Sequence, residues 1–145
     1  MKKLFYILLA VFLVIQFFRI DMDNPAVIDK NDFISLTEPT MEVEGILRNA
    51  CYDCHSNETK FPWYAHVAPV SWWLSDHIQE GREELNFSDW GTYSEKRSDH
   101  KLEECIELVE EGEMPLNSYT WTHGNAVLSD TDKSTLIEFF KDLRK

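Results

Sequence analysis

The chain has 145 residues, 43% of them hydrophobic, 13% aromatic and 28% charged, which is enough material for one folded domain and too aromatic for a disordered one. Five Pro and five Gly exclude a low-complexity or collagen-like chain. With 14 Lys and Arg against 26 Asp and Glu, a formal net charge of −12, it lacks the clustered cations that a nucleic-acid surface needs.

The first predicted element is an apolar run, Leu4 to Phe18, preceded by Lys2 and Lys3 and followed by Arg19. Fifteen residues rise about 22 Å, somewhat short of the ~30 Å hydrocarbon core of a membrane. Phe17-Phe18-Arg19-Ile20-Asp21-Met22 offers no small-residue cleavage site, so residues 1–20 read as an uncleaved signal anchor rather than a leader. The positive-inside rule keeps Lys2 and Lys3 cytoplasmic and places the remainder on the far side: a single-pass protein of the bacterial inner membrane with its domain in the periplasm. Lys2, Lys3 and Arg19 are three of the 14 basic residues and no acid precedes Asp21, so the exported part carries 11 basic and 26 acidic residues, a net −15.

Residues 21–37 are polar and acidic with scattered Val27, Ile28, Phe33 and Ile34, and read as a linker lying against the domain. From residue 38 to 145 the pattern is helical, without sustained period-2 alternation, so the expected fold is all-α. Pro39-Thr40 opens a helix running to Ala50, and Pro69 starts a second reaching about Glu84. A third fits His100 to Glu111, with Leu102, Cys105, Ile106 and Val109 on one face and Gly112 as its stop. Ser129, with Asp132 three residues on, caps a last helix whose Leu136, Ile137, Phe139, Phe140 and Leu143 form an apolar stripe.

The chemistry concentrates in Cys51-Tyr52-Asp53-Cys54-His55, the C-x-x-C-H attachment signature of c-type haem. Thiols three apart at a helix end can both add to the two vinyl groups of one porphyrin, and the adjacent imidazole of His55 then lies under the iron as proximal ligand. Competing readings fare worse. A Cys51–Cys54 disulfide closes too short a loop to stabilise much, a thioredoxin-like pair needs a βαβ setting, and a zinc site lacks a following H-x₃₋₅-H. The distal ligand is expected from Met114 in Gly112-Glu113-Met114-Pro115, with His77 as the alternative. His66, His100 and His123 stand among polar neighbours and read as solvated.

Phe61, Pro62, Trp63, Tyr64, Pro69, Trp72 and Trp73 form an aromatic-rich run directly after the motif. Trp63 and Trp72 are expected to wall the haem, since large aromatics exclude water efficiently. Arg82 is expected to pair with a haem propionate through its planar fork. Cys105, flanked by Glu103, Glu104 and Glu107, reads as a small buried hydrophobe. The acidic run Glu103 to Glu113 is a solvated face that would also attract a basic redox partner.

Cys51 to His55, then Glu113-Met114-Pro115, then Leu128-Ser129-Asp130 opening a terminal helix, resembles the order of elements in class I cytochromes c. The run CHSNETKFPWYAHVAPVSWWLSDHIQEGREELNFSDW resembles more closely a family of small bacterial haem-binding domains, over about residues 40 to 145. The resemblance implies a cytochrome c-like helical domain around one covalently bound haem c, in an exported or membrane-tethered protein. A Trp-rich insert between the haem motif and Met114 departs from the class I pattern. The function read from these residues is one-electron transfer to a redox partner protein, by a carrier rather than a catalyst. The alternatives are a haem-based sensor or peroxidase-like enzyme with an open sixth position, and a haem-bearing accessory subunit.

Overall fold

A computed structural model describes residues 1–144, so that Lys145, the last residue of the expected domain, lies outside the described residues. Among the described residues every regular element is helical, as expected. The α-helices are α1 (Lys2–Ile15), α2 (Phe33–Thr37), α3 (Met41–Ala50), α4 (Tyr52–His55), α5 (Val70–Glu84), α6 (Glu95–Glu111), α7 (Asn117–Thr120) and α8 (Asp130–Leu143), joined by short 3₁₀ turns.

Local sequence explains most of the boundaries. The Thr40 hydroxyl accepts from the Val43 amide and caps α3. Ser129 and Asp132 close a reciprocal capping box on α8, with the Asp132 amide donating to the Ser129 hydroxyl and the Ser129 amide to the Asp132 carboxylate. Exchange of Ser129 for Ala removes this cap from an exposed helix start and is expected to cost about 1 kcal/mol, read as a lowered midpoint in denaturant titration at unchanged slope. Gly112 ends α6 at φ 74°, a left-handed conformation that a side chain would strain. α6 begins five residues before the expected His100, because the Ser94 hydroxyl accepts from the Arg97 amide and starts the helix on a polar stretch that carries no apolar period. Pro69 stands at the N-cap of α5 rather than inside its first turn.

The long helices α6 and α8 pack on one another, α3 also contacts α8, and α4 follows α3 and packs against α5. The core holds Val43, Ile46 and Leu47 of α3, Leu102, Ile106 and Val109 of α6, and Leu136 and Phe140 of α8. Its centre is Phe33, fully buried, with ring centroids 4.9 Å from Phe87 and 4.8 Å from Trp90. The segment expected to be a linker therefore supplies the centre of the core from its C-terminal half. Asp32 starts α2 by accepting from the Ile34 and Ser35 amides, which turns Phe33 inward. Gly91 permits the close approach of this segment, since a Cβ there would stand 2.9 Å from the Asn31 Cα.

Among the described residues no helix is long and apolar enough to cross a membrane. The expected span over residues 1–20 stops at Ile15; its 14 helical residues rise about 21 Å. Gln16 leaves the helix to bond the domain instead, its amide donating to the Ala68 carbonyl and accepting from the Ala68 amide, both at 3.0 Å.

Candidate functional site

The three residues with ligand chemistry in Cys51–His55 open onto one cavity of about 610 Å³, within the ~300–1,000 Å³ range of cofactor sites. α4 and the residue before it form one wall with Cys51, Cys54 and His55, and α5 adds His77, Glu80, Gly81 and Glu84, followed by Leu85 at its end. α6 faces them with Lys101, Glu104, Cys105, Glu107, Leu108 and Val109, and the chain after α6 closes the space with Met114, Pro115, Leu116 and Tyr119. Met114, some sixty residues from the motif, is thus brought to the same space, and so is His77.

His55 is fixed in one chemical form. Its Nδ1 lies 2.9 Å from the Gly81 carbonyl and 3.2 Å from the Leu85 carbonyl. Carbonyls only accept, so Nδ1 carries the proton and Nε2 keeps a free lone pair. Burial pushes the imidazole pKa down and holds it neutral, the form that binds a metal. A backbone carbonyl on the outer nitrogen is the usual arrangement for a ligating histidine, setting both tautomer and ring orientation. Gly81 makes it reachable: a Cβ there would stand 2.8 Å from the Cys54 carbonyl oxygen, so only glycine lets α5 come this close to the motif.

The two intervening residues of the motif tie it to the scaffold. The Tyr52 hydroxyl donates to the Asp32 carboxylate at 3.2 Å, and its ring stacks on Phe87 at 5.3 Å. The Asp53 carboxylate accepts from the Tyr119 hydroxyl at 2.7 Å and from the Lys60 amide at 3.0 Å. Tyr119 therefore binds the chain that carries Met114 to the turn that carries the two thiols. All three cysteines are free. Burial pushes the Cys51 thiol up to about 12 and the Cys54 thiol up to about 11, so both stay protonated and slow to oxidise at neutral pH.

A family model described as a haem-binding domain matches residues 10–142. The chain belongs to that family. No curated protein and no solved structure matches it.

The residues present suit a haem. The cavity is large enough, its lining is mostly apolar, and an imidazole with a free nitrogen opens onto it together with the thioether of Met114. Several expected contributors sit elsewhere. Trp63 is 78% exposed and does not line the cavity. Trp72 lies on the side of α5 away from it, donating its indole N–H to the Phe18 carbonyl at 2.7 Å. Arg82 is turned away as well. Its Nε donates to the Ser56 carbonyl at 2.8 Å, and a terminal nitrogen donates to Thr59 Oγ1 at 2.9 Å and Asn24 Oδ1 at 2.8 Å. It straps the loop leaving the haem motif. His66, His100 and His123 do not line the cavity.

Sequence reasoning missed two contributors. Lys101 is the only Lys or Arg on the cavity among the described residues, largely buried and held by Glu104 at 2.7 Å and Glu84 at 3.4 Å. Its position was hidden because Lys101 falls at the start of the expected third helix, where a cation reads as solvated. Tyr119 stands in a stretch without apolar period, and only the fold shows that it reaches Asp53. Cys105, expected as a small buried hydrophobe, is half-buried and lines the cavity, with its thiol pushed up to about 12 by burial.

Proposed function

We propose that this is a c-type haem protein that carries single electrons, with haem bound to Cys51 and Cys54 and ligated by His55 and Met114. One observation carries the reading: the two thiols, the oriented imidazole and the methionine of two distant segments open onto a single apolar cavity. Haem supplies a one-electron iron couple, whose potential is raised by thioether in place of a second imidazole. The chain's part is to hold His55 neutral and oriented, to bring Met114 up from the turn after α6, and to keep water off with Leu85, Phe87, Leu108, Val109, Leu136 and Phe140. Filling both axial positions from the protein leaves none for a substrate, which favours a carrier over a sensor or a peroxidase-like enzyme. His77 is the second candidate for the distal place, since it also lines the cavity; its Nδ1 lies 2.9 Å from the Trp73 carbonyl, which leaves Nε2 free.

An optical spectrum of the protein made with a c-type haem maturation system tests this reading. A low-spin haem with a thioether-to-iron band near ~700 nm and no CO binding is expected. Met114→Ala is expected to abolish that band and admit CO, and an unchanged spectrum would move the distal ligand to His77.

Lys101 lines the cavity and Arg82 does not, which supports Lys101 as the cation that would meet a haem propionate. Its exchange for Ala removes a positive charge and leaves Glu84 and Glu104 uncompensated, which disfavours the added electron. The reduction potential is expected to fall by on the order of tens of millivolts in redox titration. Arg82→Ala is expected to leave the potential close to that of the parent.

The apolar residues of α1 are exposed along its length, which supports holding the domain at a lipid membrane through that helix. Lys2 and Lys3 at its start and the chemistry of covalent haem attachment support the periplasmic face of a bacterial inner membrane. The acids around the cavity, Glu80, Glu84, Glu104 and Glu107, support a basic redox partner docking there.

A further inference from the structure

Helix α1 does not hang freely from the domain. Gln16 grips both the carbonyl and the amide of Ala68, Trp72 donates its indole N–H to the Phe18 carbonyl at 2.7 Å, and Ile20 and Met22 pack against the small core of Ala65, Leu74 and Ile78. The direction in which α1 leaves the domain is therefore set by contacts on both sides of the turn. A membrane that receives α1 must then meet the domain surface around its base.

That surface is apolar. Phe17 is 86% and Phe18 64% exposed, and on the first turns of α5 Val70 is 42% and Trp73 44% exposed. Val70 and Trp73 are three apart and share a helix face. None of the four lines the cavity, so the proposed chemistry does not explain them. α1 offers about 21 Å of helix against ~30 Å of hydrocarbon, and a short segment is accommodated by drawing its flanks toward the bilayer.

We propose that Phe17, Phe18, Val70 and Trp73 form a lipid-docking face that sinks into the interface of the bilayer holding α1, so that the haem domain lies on the membrane instead of swinging from it. The inference rests on the reading of α1 as lipid-inserted. Trp and Phe suit this depth, because their rings are stable at the headgroup boundary. Arg19, exposed beside Phe18, is placed to pair with lipid phosphates, while exposed Asp76, one turn beyond Trp73, limits immersion. The Trp73 ring packs at a tilt against His77, with ring centroids 4.2 Å apart, so the docked face adjoins one edge of the cavity.

The test uses the full haem-loaded chain in phosphatidylcholine vesicles, with a benzophenone amino acid at Val70, at Trp73 or, as control, at Glu138 on α8. All three sites are on the surface, and an unaltered haem spectrum shows that each variant is folded. Flotation with the vesicles, and lipid adducts on irradiation at Val70 and Trp73 but not at Glu138, are expected. Flotation without lipid adducts at Val70 and Trp73, or adducts to a second copy of the chain instead, would overturn the docking face and leave the insertion of α1 standing. Failure to float would overturn both.

Discussion

On the proposed c-type attachment, exchange of both Cys51 and Cys54 for Ser is expected to abolish covalent haem, so that the mass of the denatured chain falls to that of the polypeptide alone. In that reading each thiol contributes one thioether, so either single exchange is expected to leave one bond and the cofactor mass. The cavity survives the double exchange, because Ser is close to Cys in volume and Leu85, Phe87, Val109, Leu136 and Phe140 are untouched. His55→Ala separates attachment from ligation. Its thiols are expected still to hold the haem mass, while the low-spin spectrum is expected to be lost with the oriented Nε2. Denaturing mass spectrometry beside an optical spectrum distinguishes the three cases. A double cysteine variant that keeps the haem mass after denaturation would refute c-type attachment.

Gly81→Ala is expected to lower thermal stability by roughly 1–3 kcal/mol, the usual cost of forcing a methyl group into filled space. The atom in the way is the Cys54 carbonyl oxygen, 2.8 Å from the new Cβ, with the Cys54 carbonyl carbon and Cβ each at 3.3 Å. Backbone cannot swing aside as a long side chain can, so α5 must retreat from α4. That retreat is expected to draw the Gly81 carbonyl off His55 Nδ1 and, if His55 ligates the haem as proposed, to alter the iron–imidazole signature as well as the melting temperature. Gly45 in α3 is the opposite case: a Cβ there meets nothing within 4 Å. Gly45→Ala should therefore stabilise by about 0.5–1 kcal/mol through helix propensity alone. Calorimetry on the two variants decides the matter, and equal melting temperatures would show that the approach of α5 to the motif is not tight.

The sign of these effects could not be told from sequence, because both glycines stand in helical stretches and differ only in what the fold brings near. Local features were legible for the same reason that they are local. A cap lies three residues from its partner, as Ser129 and Asp132 do, and a helix stop such as Gly112 is set by its own φ. The apolar stripes of α3, α6 and α8 were visible because a helix repeats every 3.6 residues. Phe33 failed this reading because a five-residue helix is too short to show a period, yet its burial depends on Phe87, Trp90 and Phe140, each more than fifty residues away.

The same division runs through the site. The motif Cys51-x-x-Cys54-His55 carried its chemistry in sequence, since its spacing is the reactive geometry. Met114 was nominated by its setting and arrives at the cavity as expected. The wall was misassigned because aromatic residues close to the motif in sequence were taken to be close in space. The turn through residues 56–68 carries Trp63 outward, while α5 presents His77, Gly81 and Leu85 rather than Trp72 and Arg82 to the cavity.

By itself the sequence determined that this chain is helical and acidic, that haem is the chemistry to expect of it, and which three residues to nominate for that chemistry, because those readings follow from composition, period and the spacing of neighbours. Only the tertiary structure decided that the carbonyls of Gly81 and Leu85 orient His55, that Lys101 is the cation at the cavity, and that α1 is bolted to Ala68 and Trp72. Each of those contacts joins residues twenty-six or more positions apart or depends on which face of a helix is covered, and packing alone sets that.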